Sequence, residues 1–243
     1  MGSFESLKQT AFAANMELHA SGLVIGTFGN VSAFDGEKGV FAIKPSGVPY
    51  GSLDAGSMVV VDLDGKVVEG RLRPSSDTRT HAVLYRSFRG IGGVCHAHSV
   101  HATAWAQAKR PIPVLGTTHA DHLVHAVPCT EVMSDEMIRG DYEAETGNQI
   151  VQCFRDLSYK EIEMTLVACH GPFTWGKDAF KAVYNCVMLE ELAKMAGQTL
   201  QINPRARPLK PSLIEKHFQR KHGSNAYYGQ PPRPDPKKPL DID

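Results

Sequence analysis

Phe4, Leu7, Ala11, Ala14 and Leu18 recur at intervals of three or four, so residues 3–20 predict an amphipathic helix that stops at Ser21-Gly22. Short β-type runs broken by glycine follow at 24–32, 39–43 and 58–63, the last turning through Asp64-Gly65 into 66–69 as a hairpin. Pro74-Ser75-Ser76-Asp77 offers several caps for a helix over 78–88. The pattern then predicts a strand at 92–98, a helix at 101–108, a loop-rich stretch at 111–131 and a helix at 142–157. A strand at 164–170, a long helix at 177–197, a connector at 204–211 and a short helix at 212–222 complete the order. Strands first, then strands and helices mixed, predict one α/β domain with a largely antiparallel sheet. No internal repeat and no domain boundary precede residue 230, and the Pro-, Lys- and Asp-rich tail at 231–243 reads as extended or disordered.

Composition narrows the class. The 243 residues are 42% hydrophobic and 21% charged, as in an ordinary soluble protein with one sizeable core. Lys+Arg and Asp+Glu both number 26, which argues against a dedicated nucleic-acid binder, and no apolar run reaches the ~20 residues of a membrane span. Cys95, Cys129, Cys153, Cys169 and Cys186 are odd in number and form no C-x-x-C pair, so they read as reduced thiols. The N-terminus lacks the basic-then-apolar order of a signal peptide; its M-G-x-x-x-S match to a myristoylation site reads as a plain helix start, and the expected location is cytoplasmic. The oddity is 11 histidines, the side chain most used for metal ligation and neutral-pH proton transfer.

In a strand, His96 and His98 project to the same side, as two ligands of one ion must. His170 ends a second apolar run, and Asp77 lies in a loop at a predicted helix start. Three imidazoles, an optional carboxylate and an open position describe a catalytic rather than a closed structural site, with zinc or another divalent ion as the occupant. Alternation turns Cys95 and Cys169 to the opposite face, as core residues. Three loops (Gly29-Asn30; Lys44 with Ser46-Gly47; Ser75-Ser76) combine small residues with donors. Such loops let a backbone approach a phosphate, although each alone is ordinary turn chemistry.

These segments together resemble the class II aldolase/epimerase family: GNVSAFD (29–35), IKPSGVPY (43–50), RPSSDTRTH (73–81), GGVCHAHSVHATAWAQA (92–108), GTTHADHL (116–123), YEAETGN (142–148), CHGPFTWGK (169–177) and KHGSNAYYGQ (221–230). The resemblance spans 3–230 and implies a single three-layer α/β/α domain, with the tail at 231–243 outside it. It implies Zn²⁺, with Mn²⁺ or Co²⁺ as alternatives, at His96, His98 and His170, with Asp77 as a ligand or water partner. It implies substrate contacts from Gly29, Asn30, Lys44, Ser46, Gly47, Ser75 and Ser76. It implies acid/base roles for Asp121 and Tyr228 across a subunit boundary of a homotetramer; the ion, Lys221 and Arg220 are the candidates for the positive charge a tyrosine base needs. The implied substrate is a pentulose phosphate of arabinose-type catabolism, epimerised at C4 by retro-aldol cleavage, rotation of the aldehyde and re-addition; neither nucleic acid nor membrane is expected as a partner. Two alternatives remain: a fuculose- or rhamnulose-phosphate aldolase, whose fuculose-type pattern has Glu where this chain has Asp77, and a non-catalytic adducin-like module. His101, His119, His122, His125 and His217 carry no assigned chemistry.

Overall fold

The computed structural model describes residues 4–224, 226, 227 and 229. The helices are α1 (Glu5–Ala20), α2 (Thr78–Ser87), α3 (Val100–Gln107), α4 (Thr117–Ala120), α5 (Asp135–Arg139), α6 (Tyr142–Cys153), α7 (Ala179–Ile202) and α8 (Pro211–His222). The strands are β1 (Asn30–Asp35), β2 (Val40–Ile43), β3 (Val59–Asp62), β4 (Val67–Glu69), β5 (Gly93–His96), β6 (Met164–Val167) and β7 (Gly171–Gly176). They form one sheet in the order β4-β3-β2-β1-β5-β7-β6, with every neighbouring pair antiparallel.

Strand alternation builds two cores from this sheet. Val31, Ala33, Val40, Ala42, Val60 and Cys95 face α1 (Ala11, Ala14, Leu18) and the first turns of α7 (Ala179, Ala182, Val183, Cys186). Phe41, Ile43, Val59, Val61, Val94, Phe173 and Trp175 face the other way, against α2 (Ala82, Leu84, Tyr85) and Ile150 of α6. The result is the expected three-layer α/β/α arrangement around an antiparallel sheet. No helix among the described residues is long and apolar enough to cross a membrane.

The differences from the predicted pattern that bear on the site fall at glycines and at the histidines; elsewhere α5 is additional and the helix expected at 142–157 ends at Cys153. The run at 24–32 becomes a strand only at Asn30; Gly26 and Gly29, with φ of 59° and 83°, turn the preceding segment out of the sheet. The predicted strand at 164–170 ends at Val167, so His170 stands in a turn, and the chain re-enters the sheet at once as β7. Gly171-Pro172 reads as a breaker in sequence, which hides that strand. Cys169 in this turn is exposed, with φ of 66°, and is not a core residue; Cys95 is buried on the face away from His96, as alternation requires. The loop-rich stretch at 111–131 contains α4, and α7 runs on to Ile202.

Candidate active site

The register of three strands fixes His96. It lies opposite Asn30 of β1 on one side and Phe173 of β7 on the other, and its ring stacks on Phe173 at 4.1 Å. Its Nδ1 donates to the Pro172 carbonyl at 2.8 Å. A carbonyl only accepts, so the proton sits on Nδ1 and the Nε2 lone pair is free for a ligand role. His98 lies two residues beyond the strand in extended chain, and His170 comes from the β6–β7 turn. The three ring centroids lie 4.7–5.1 Å apart at steep angles, and one ligand atom from each falls within 4.8 Å of the others.

This donor set fits a divalent ion. Burial pushes all three imidazoles below their ordinary values, His170 to about 4, so they face one another as neutral ligands. The His170 Nδ1 is buried without a partner among the described residues. Asp77 joins the same cavity but not the three-histidine cluster: its Oδ2 accepts from Asn30 Nδ2 at 2.6 Å. Burial pushes the Asp77 carboxyl up; the imidazoles of His96 and His81 and the Asn30 amide outweigh it and hold it lowered. Behind Asp77, the buried His81 Nδ1 lies 2.7 Å from Ser32 Oγ, itself 2.6 Å from Tyr85 Oη.

The second half of the cavity is lined by two loops that are bonded to each other. The Ser46 N–H donates to the Arg73 carbonyl at 2.9 Å, the Ser75 N–H to the Lys44 carbonyl at 3.0 Å, and Pro45 bridges to Pro74. These bonds zip the Lys44–Gly47 loop to the loop that starts α2. Gly47 takes φ of 70°, and a Cβ at Gly29 would meet the His96 carbonyl at 3.3 Å, so both positions require glycine. Lys44 is 2% exposed; among the described residues its Nζ donates to the carbonyls of Thr27 (3.2 Å) and Pro45 (3.4 Å) and sits 4.9 Å from the Tyr50 ring centroid. Burial lowers its pKa, since it disfavours the charged ammonium.

Gly29, Asn30, Lys44, Ser46, Gly47, Ser75, Ser76, Asp77, His96, His98 and His170 line one cavity of about 360 Å³. Thr27, Phe28, Tyr142 and Glu143 line it too and escaped the sequence reading. Phe28 lies 5.6 Å from the His98 ring and Tyr142 lies 6.4 Å from the His170 ring. Tyr142 and Glu143 arrive because α6 docks on α2: Gly147 lies against Val83, and Thr80 Oγ1 donates to the Glu143 carbonyl at 2.6 Å. Only the YEAETGN segment hinted at them.

Asp121 does not line this cavity within one chain. It ends α4 and is held by α8, taking Arg220 Nη2 on Oδ2 at 2.7 Å and His217 Nδ1 on Oδ1 at 3.0 Å. Tyr228, its expected partner, lies outside the described residues.

Residues 9–196 match the family model described as the class II aldolase and adducin N-terminal domain. Proteins of Salmonella paratyphi B and Salmonella typhi named L-ribulose-5-phosphate 4-epimerase UlaF are 54% identical over 226 residues, 93% of this chain and 99% of each relative. Among solved structures, an L-fuculose 1-phosphate aldolase is 25% identical with a TM-score of 0.73, covering 90% of this chain and 97% of its own. The L-fuculose-1-phosphate aldolase of Thermus thermophilus shares the fold at 23% identity and a TM-score of 0.65, covering 82% of this chain and 98% of its own. The chain belongs to the class II aldolase and adducin N-terminal domain family.

Proposed function

We propose that this chain is a metal-dependent epimerase that interconverts L-ribulose 5-phosphate and D-xylulose 5-phosphate. The observation that carries the reading is the meeting of a three-histidine cluster and a lysine-centred anion cup in one cavity; the 54% identity to relatives bearing that name supports it. C4 is not adjacent to the C2 carbonyl, so simple deprotonation there is unfavourable. Cleaving C3–C4 instead gives a dihydroxyacetone enediolate and glycolaldehyde phosphate; the aldehyde turns, and the bond re-forms on its other face.

His96, His98 and His170 hold the ion, which we take to be zinc, with manganese or cobalt as substitutes. When bound, it supplies Lewis acidity toward the carbonyl oxygen on which charge develops. Asn30 keeps Asp77 oriented at the edge of the cluster. Gly29, Lys44, Ser46, Gly47, Ser75 and Ser76 grip the phosphate, so the freed aldehyde turns without leaving. Asp121 and Tyr228 move the proton at the C4 oxygen on opposite faces, reaching the cavity of a neighbouring subunit in a homotetramer. The catalytic domain spans 1–230, and the enzyme works in the cytoplasm in pentose catabolism.

The test is to incubate zinc-loaded protein with L-ribulose 5-phosphate and follow D-xylulose 5-phosphate. Free glycolaldehyde phosphate as the main product would assign the chain to the aldolases instead.

A further inference from the structure

The three histidines are not anchored alike. His96 is fixed by two strand ladders, a hydrogen bond and a stacked ring. His98 lies outside the ladder, half-buried, immediately before α3. Whatever fixes the start of α3 therefore fixes the backbone that carries His98.

The first N–H groups of a helix have no partner within it and are normally taken by the N-cap side chain. Ser99 occupies that position and has a suitable hydroxyl, yet it makes no cap bond, and its Oγ is buried without a partner among the described residues. Glu190 of α7 takes the role from outside: Oε1 accepts from the His101 N–H and Oε2 from the Ala102 N–H, both at 2.8 Å. The residue is 6% exposed. Burying a carboxyl group is costly, and a local serine cap would satisfy one of these two donors more cheaply. A serine cap, however, ties α3 only to its own chain segment. The Glu190 clamp ties it to α7, which packs on β5 and β7, the strands that adjoin the other two histidines.

We infer that Glu190 is a positioning residue of the metal centre, holding His98 in place by capping α3 from α7. The inference rests on the metal-site reading above. It calls for Glu190→Ala and Glu190→Gln, each measured for zinc dissociation constant by chelator competition, for the visible spectrum of the cobalt-substituted protein, and for the melting temperature of metal-free protein. Loss of a ligand's own outer partner typically weakens metal binding tenfold to a hundredfold, and Glu190 acts one step further out, through the start of α3. We expect a loss of about tenfold for Glu190→Ala, with altered cobalt bands, and a smaller loss for Glu190→Gln, which keeps one acceptor oxygen. A folded variant that binds zinc within twofold of wild type and keeps the cobalt spectrum would overturn the inference, even if it melts earlier; Glu190 would then serve stability alone. Should neither variant fold, hydrogen exchange of residues 97–104 in the wild-type protein decides. Linkage requires the His101 and Ala102 amides to gain protection when zinc binds, and unchanged protection overturns the clamp. Wild-type protein that binds neither ion would fail the metal-site reading itself, a result separate from all of these.

Discussion

Arg220 meets Asp121 with two parallel donations, Nε to Oδ1 at 3.0 Å and Nη2 to Oδ2 at 2.7 Å. His217 adds a third at 3.0 Å, and the His222 ring reaches the Asp121 carbonyl at 2.9 Å. Burial pushes the Asp121 carboxyl up, but the bonds from Arg220 and His217 outweigh it and hold the group below its usual range. Three residues of α8 thus present one α4 carboxylate as a fixed, ionised acceptor.

If that carboxylate moves the proton at the substrate C4 oxygen, Asp121→Asn removes the acceptor without touching the histidines. Epimerisation should fall about 10²- to 10⁴-fold, the usual worth of a positioned acid or base. Zinc content by elemental analysis should stay at the wild-type level. Unchanged turnover would take Asp121 out of the mechanism.

Lys44→Met should weaken substrate binding while leaving the fold intact. A charge-assisted hydrogen bond is worth ~1.5–3 kcal/mol, so KM should rise about tenfold to a hundredfold. The loosened grip should also let some cleaved aldehyde escape, visible as free glycolaldehyde phosphate. Because burying this ammonium is itself unfavourable, the melting temperature should hold or rise. A large fall in melting temperature would show that Lys44 is structural.

The buried His81 gives a pH dependence with a definite sign. Burial pushes its pKa to about 3, against ~6.5 in the unfolded chain. The unfolded state therefore takes up a proton between these values and the native state does not. Stability is full above pH 6.5 and is lost as pH falls toward 3, by about 5 kcal/mol at the far end. His81→Asn should flatten urea-unfolding free energies between pH 7 and 5 by roughly 1 kcal/mol per pH unit. Parallel profiles for the two proteins would contradict the assignment.

Gly147→Ala should destabilise the chain although it raises helix propensity. A Cβ there would stand 2.7 Å from Val83 Cβ and 3.1 Å from the Thr80 carbonyl. The shift needed costs ~1–3 kcal/mol of stability, measurable by urea unfolding. Because α6 carries Tyr142 and Glu143 into the cavity, kcat/KM should fall as well. A variant with wild-type stability would mean that α6 sits farther from α2 than described.

Side-chain periodicity made α1 and α7 legible, since each buries a stripe at intervals of three and four, whereas α2, buried on nearly every side between the sheet and α6, was marked by its caps. The two strand cores could also be read by alternation, and with them the opposite orientations of Cys95 and His96. What could not be read depends on partners distant in sequence. β7 hides behind Gly171-Pro172, although its Phe173 is the shelf on which His96 stacks. His98 clusters with His96, yet it does so from extended chain beyond the ladder, so strand alternation alone does not account for its place. Tyr142 and Glu143 reach the cavity only through the close approach of Gly147 to Val83, and no spacing rule records that. Asp121 stood out for its segment, but its three α8 partners lie about a hundred residues away.

The Pro45–Pro74 bridge, with the Ser46 and Ser75 backbone bonds around it, makes two loops move as one body. Their cup is shaped before any ligand enters, so on the proposed function a phosphate ester would give up little loop entropy on arrival. The same stiffness would make that phosphate a pivot: with one end clamped, a severed aldehyde would swing about it and present its second face while diffusion away is suppressed.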